Sequence, residues 1–169
     1  MAIIVRIFLL TASLWTLVAC GEREPDSAKK AIVTAATLGE QSVLTVTEYL
    51  AAAPYADADL RNGERLAQIC RACHVFANGG ANMLGPSLRG IFGAPAGARE
   101  GFAYSQALGS AGFVWTPRAL DAWLAQPGRF LPGNRMVFAG VSGASDRRDL
   151  IAYLLQATAA TGTGQGEGA

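Results

Sequence analysis

Cys70-Arg71-Ala72-Cys73-His74 sets two thiols three residues apart, with an imidazole directly after the second. On a helix, positions i, i+3 and i+4 share a face, so this spacing gathers all three groups on one side. Leu60, Gly63, Leu66 and Ala67 recur at spacings of three and four and carry the same stripe back along the chain. The protein has 3 cysteines, 3 methionines and 1 histidine. With so few soft or imidazole ligands, elimination goes far. Zinc asks for four ligands; this stretch supplies three, and the remaining cysteine, Cys20, lies far upstream. A thioredoxin-like redox pair wants a βαβ setting, and no strand pattern surrounds the motif. A structural disulfide would leave His74 unexplained. What remains is the attachment pattern of haem c, in which two thiols add to two vinyl groups while the adjacent imidazole binds iron.

The second axial ligand follows from the same scarcity. A single histidine rules out bis-histidine ligation, and the lysines, Lys29 and Lys30, sit near the N-terminus. Met83 follows His74 so closely that it would have to cross at once to the opposite haem face. Met136 comes after two loops and a helix, in Pro132-Gly133-Asn134-Arg135-Met136-Val137-Phe138. Met/His is a standard haem pair. Met136 is therefore read as the iron's second ligand, and Met83 as core filling, the usual work of a methionine.

The rest of the chain reads as all-α. Thr116-Pro117 is a helix start, a capping hydroxyl followed by proline at the first helical position. Leu120, Trp123 and Leu124 give its apolar face, and Pro127-Gly128 ends it. A last helix begins near Ser145-Asp146, with Leu150, Tyr153 and Leu154 as its stripe. Between the first and second of these helices glycine, proline and asparagine prevail, with room for one short helix at Ser105 to Leu108. Loops of that length need something to pack on, which a cofactor would supply. The expected fold is three main helices plus short helices and long loops wrapped around one covalently bound haem.

Composition allows a packed core. Charged residues are 16% of the chain, hydrophobic residues 51%, and the formal net charge is +1. Nothing basic enough to seek nucleic acid is present. Arg6 followed by the apolar run Ile7 to Ala19 resembles an export signal, shorter than the roughly 20 residues of a membrane span. Leu17-Val18-Ala19-Cys20 resembles the lipobox of bacterial lipoproteins, which implies acylation of Cys20. An ordinary signal cleaved elsewhere, or an uncleaved anchor, is the alternative. The division expected is a signal peptide over 1–19, a lipid-anchored tether over 20–56 with room for a short helix near Glu48-Tyr49-Leu50, a haem domain over 57–158, and a disordered Gly/Thr-rich tail over 159–169. The location that follows is the periplasmic side of a bacterial membrane.

From Gly63 to Thr158 the chain resembles class I cytochrome c, close to the mitochondrial type. After the haem motif come Gly85-Pro86-Ser87-Leu88-Arg89-Gly90-Ile91-Phe92-Gly93, Gly101-Phe102-Ala103-Tyr104-Ser105, Trp115, Pro127, the Met136 loop and Asp149-Leu150-Ile151-Ala152-Tyr153-Leu154, in order and in register. The resemblance implies that the Pro86 carbonyl meets the free ring nitrogen of His74, that Tyr104 and Trp115 donate to a haem propionate, that Gly63 lets the first helix cross the last near Tyr153, and that Phe138 covers a haem edge. Asn134 stands where the family has a threonine and keeps the ability to hydrogen-bond. Ala94 replaces the family's propionate-binding arginine, for which Arg99 is a candidate substitute. Leu66 replaces an aromatic residue and Trp123 a tyrosine. The family's lysine ring is missing: residues 57–158 hold ten arginines, seven acids and no lysine.

The function implied is single-electron transfer between membrane-associated redox partners, such as an oxidase or a reductase, by a monomer that is not an enzyme. A haem subunit of a periplasmic dehydrogenase and a gas-sensing haem protein are the alternatives. The subunit would use the same redox chemistry, and the sensor would bind a diatomic after Met136 leaves; a peroxidase would need an open distal site with a base, and the chain has no second histidine.

Overall fold

The computed structural model describes residues 34–77 and 80–160. The expected signal peptide, Cys20 and all but the first two residues of the expected tail lie outside them. The fold is helical: α1 (Val46–Ala51), α2 (Leu60–Arg71), α3 (Gln106–Gly109), α4 (Pro117–Ala125), α5 (Pro127–Phe130) and α6 (Ala144–Ala157). Among the described residues there is no strand, and one isolated bridge pairs Pro95 with Val114.

Each long helix starts for a local reason. The Asp59 carboxylate accepts from the N–H groups of Arg61 (2.9 Å) and Asn62 (3.1 Å), two donors that α2 leaves without helical partners. The Thr116 hydroxyl does the same for Ala119 at 3.2 Å, and Pro117 occupies the first position of α4.

The crossing of α2 and α6 is backbone on backbone. A Cβ at Gly63 would stand 2.1 Å from the Asp149 carbonyl oxygen and 2.7 Å from Cβ of Tyr153, so no larger residue fits. That contact outweighs the ~1 kcal/mol a helical glycine costs against alanine. Asp149 locks the crossing. It is 4% exposed and accepts from the Asp59 N–H (3.1 Å), the Asn62 amide (2.9 Å) and the Arg148 guanidinium (2.6 Å). Burial alone would raise its pKa, but the hydrogen bonds from Asn62, Arg148 and Asp59 prevail and hold the carboxyl below its ordinary value.

The core lies between α4 and α6. Ala119, Leu120, Trp123 and Leu124 meet Leu150, Ile151, Leu154 and Leu155. Edge-to-face aromatics extend it: Phe113 contacts Trp115 and Phe130 at 4.9 and 5.4 Å, and Trp123 contacts the same two rings at 5.4 and 5.9 Å.

Packing continues upstream of Asp57. Leu38, 1% exposed, joins the core, with Val46, Tyr49 and Leu50 of α1 against it. A capping box between Thr45 and Glu48 starts α1, and the Tyr49 hydroxyl donates to the Ser42 carbonyl at 3.0 Å. The Thr116 hydroxyl, besides capping α4, donates to the Gln41 side chain.

Candidate functional site

A cavity of about 1090 Å³ opens beside the end of α2. Cys70, Cys73 and His74 line it, and so do Pro86, Tyr104, Trp115, Asn134 and Met136. Helix α2 stops at Arg71, so Cys73 and His74 fall in the terminating turn and not on the helix proper. The turn keeps the helical spacing: the N–H groups of Cys73 (3.1 Å) and His74 (2.9 Å) both donate to the Cys70 carbonyl. Both cysteines are free thiols. Burial pushes the Cys70 thiol up.

The His74 ring is oriented from one side. Its Nδ1 lies 2.7 Å from the Pro86 carbonyl oxygen. A carbonyl can only accept, so Nδ1 carries the proton and Nε2 keeps its lone pair. Burial lowers the imidazole pKa, with the Pro86 carbonyl pulling the other way, and favours the neutral ring that a metal can take. Gly85 makes the approach possible. A Cβ there would stand 2.4 Å from Cε1 of His74, while its N–H donates to the Cys73 carbonyl at 2.8 Å. Gly85 was quoted in the sequence as one residue of a motif, and its task as the cradle of the ring shows only in three dimensions. Asn82 is a further residue that the sequence did not single out. Its side chain donates to the Glu100 carbonyl (3.0 Å) and accepts from the Ser87 N–H (3.0 Å), pinning the loop that carries Pro86.

Met136 is half-buried, packs against the core and lines the cavity. Asn134 fixes its loop. Both amide hydrogens of Asn134 are committed to backbone carbonyls, Pro127 at 3.0 Å and Leu131 at 2.8 Å, while its oxygen accepts from the Met136 N–H at 2.9 Å. Arg135 donates to the Ala103 carbonyl and so ties this loop to the one before Tyr104. Met83 departs from expectation. It is 52% exposed and is no core filler, because the tight turn at Asn82–Gly85, closed by the Met83 N–H on the Gly85 carbonyl at 2.9 Å, leaves it on the surface.

Tyr104 and Trp115 line the cavity with Ala94 and Arg99. Burial raises the Tyr104 pKa, partly offset by a hydrogen bond to the Arg99 backbone and by the Arg99 charge. The Arg99 guanidinium donates to the Arg89 carbonyl, so the arginine missing at position 94 has a neighbour that reaches the same cavity.

A cytochrome c of Chlamydomonas reinhardtii is 46% identical over 102 residues, which cover 60% of this chain and 91% of that one. The chain belongs to the cytochrome c family. Cytochromes c2 of Blastochloris viridis and Agrobacterium tumefaciens are each 40% identical, over 82% and 92% of their own lengths. No family model matches the chain. This cytochrome c domain carries one haem c, covalently attached through Cys70 and Cys73. The cavity suits the group: two free thiols in one turn, an imidazole with its lone pair available, and a glycine where any side chain would strike that ring.

Proposed function

We propose that this cytochrome is a single-electron carrier, held by a lipid on Cys20 at the periplasmic side of a bacterial membrane, where it exchanges electrons with an oxidase or a reductase. The observation that supports this is that His74 and Met136 line one cavity; together they would give the iron two protein ligands and leave no position for a substrate. The haem supplies one reversible electron. The protein sets how readily it is given up. His74 is held in one tautomer by Pro86, which raises its basicity as a ligand. The Met136 thioether favours the reduced state. Asn134 contributes by bracing the Met136 loop, since its own donors are already used. Tyr104 and Trp115 would donate to a propionate, with Arg99 lining the same cavity. Phe138 covers one edge. Residues 57–158 form the haem domain, residues 1–19 a signal peptide, residues 159–169 a tail, and residues 20–56 a tether whose part from Leu38 to Leu50 packs on that domain.

The test is a potentiometric titration with optical spectra. A carrier gives one reversible one-electron step and a low-spin, six-coordinate spectrum in both oxidation states. A five-coordinate form, or ready carbon monoxide binding by the reduced protein, would point to an enzyme or a sensor instead.

Anchoring has its own test. Among the described residues no helix is long and apolar enough to cross a membrane. Acyl chains contribute about 0.8 kcal/mol per buried methylene, ample for attachment through Cys20. Cys20→Ser is expected to release the protein into the soluble periplasmic fraction or to leave an unprocessed precursor. Normal processing with unchanged membrane fractionation would rule the lipid out.

A further inference from the structure

We propose that the segment from Leu38 to Leu50 is a strap that holds Trp115 in place at the haem cavity, with Gln41 as its positioning residue. The inference rests on the carrier reading above and names a part of the chain that sets the carrier's potential.

The strap is built, not slack. Leu38, 1% exposed, anchors one end in the core, and Val46, Tyr49 and Leu50 of α1 pack on the same core at the other. Between these anchors Tyr49 closes the chain into a turn. Its hydroxyl donates to the Ser42 carbonyl and accepts from the Leu44 N–H, both at 3.0 Å. The Glu48 carboxylate accepts from the Thr45 N–H (2.8 Å) and hydroxyl (2.7 Å), so α1 begins directly after the turn. A spacer between an anchor and a domain needs none of this, and ordering its residues costs conformational entropy that a flexible link would keep.

Gln41 and Val43, on this turn, both reach the frame that carries Trp115. Residues 93–96 and 113–115 run side by side around the bridge between Pro95 and Val114. The Gly93 N–H donates to the Trp115 carbonyl (2.8 Å), the Trp115 N–H to the Ala94 carbonyl (2.9 Å) and the Ala96 N–H to the Phe113 carbonyl (2.8 Å). Ala94, Pro95 and Trp115 line the cavity. The strap touches both segments of this frame. The Gln41 side chain accepts from the hydroxyl of Thr116, the residue after Trp115. A Val43 methyl lies 3.0 Å from where a Cβ on Gly93 would stand. Phe113 and Trp123 meet the Trp115 ring edge to face at 4.9 and 5.4 Å. The core thus sets the plane of the ring, and the strap holds the backbone that presents it.

The chemical consequence follows from position 94. Alanine there has nothing to donate to a propionate, so the Trp115 indole N–H carries more of that contact. A loosened Trp115 leaves the propionate charge less compensated and lets water closer. An uncompensated anion and a wetter haem both favour the ferric state, which holds one more positive charge. The reduced form therefore loses ground when the strap lets go.

The experiment uses the full-length, haem-loaded protein, with amide hydrogen exchange measured in the reduced state and the potential titrated. Gln41→Leu removes the acceptor and should speed exchange of the Trp115 and Gly93 amides by about tenfold. It should also shift the redox equilibrium toward the oxidised form by about threefold, which is about 28 mV at about 59 mV per tenfold. Ser42→Ala, next along the strap, and Thr116→Ser, which keeps the hydroxyl, should move neither reading. In a Thr116→Val background Gln41→Leu should add nothing further, because the bond it breaks is already gone. Wild-type exchange rates in Gln41→Leu would overturn the strap. Faster exchange with an unmoved potential, or a Gln41→Leu shift that persists in full beside Thr116→Val, would overturn the positioning of Trp115 by Gln41. A wild-type protein without a reversible one-electron step would instead sink the carrier reading, and the exchange rates would still decide the strap.

Discussion

Met136→Ala is expected to abolish the near-infrared sulfur-to-iron band of the oxidised protein and to lower the reduction potential by at least about 0.1 V, within the roughly 0.8 V that axial ligands span. The argument is one of place. Met136 packs against the core and lines the haem cavity, its N–H is held at 2.9 Å by Asn134, and Asn134 is held in turn by Pro127 and Leu131. Such a loop delivers one side chain to one position, and alanine has nothing to offer iron. Removing a thioether removes the ligand that favours the ferrous state, so the potential falls. The vacated position should also make the reduced variant bind carbon monoxide. Met83→Ala is the control. Met83 is 52% exposed, it does not line the cavity, and its loss should leave band and potential unchanged. The opposite pattern would transfer the ligand to Met83.

The contrast between these two methionines shows what the sequence could and could not reveal. Met136 was singled out because a lone histidine leaves few partners and because the chain between them is long enough to come round, and it does line the cavity with His74. Met83 was misread: apolarity predicts burial on average, but the turn that Met83 closes with Gly85 leaves it on the surface. Local chemistry was read well. Thr116-Pro117 starts α4, and Gly63 sits where α2 meets α6. The thiol spacing was legible too, although the helix stops at Arg71 and a hydrogen-bonded turn carries the last two groups. Long-range pairings stayed hidden. Leu38 has no periodic neighbours to flag it as core, and Gln41 meets Thr116 across 75 residues. In the sequence Asn134 stood where the family has a threonine and kept the ability to hydrogen-bond; its hydrogens are spent on its own loop.

Cys70→Ala together with Cys73→Ala is expected to cost the protein its fold as well as its covalent haem. With both cysteines present, haem should stay on the denatured, reduced chain through acid-acetone extraction, since two thioether bonds hold it. With Cys70→Ala alone one bond remains and the haem is held less securely. With neither, extraction should remove all of it. The structural consequence follows from what the cavity is made of. Leu120, Trp123, Leu124 and Leu154 line it and also belong to the hydrophobic core, so one face of α4 and of α6 would pack on the haem. Cavities left by core truncation cost about 24 cal/mol per Å³. Applied to about 1090 Å³, that rate gives an upper bound of ~26 kcal/mol, since water can enter through the mouth. Domains of this kind are stable by only about 5–15 kcal/mol, so even a third of that bound would remove most or all of the margin. The haem-free double variant should therefore lose most of its far-ultraviolet helical signal and show no cooperative urea transition. Helix content equal to that of the holoprotein, with a sharp transition, would show that the chain holds this fold by itself.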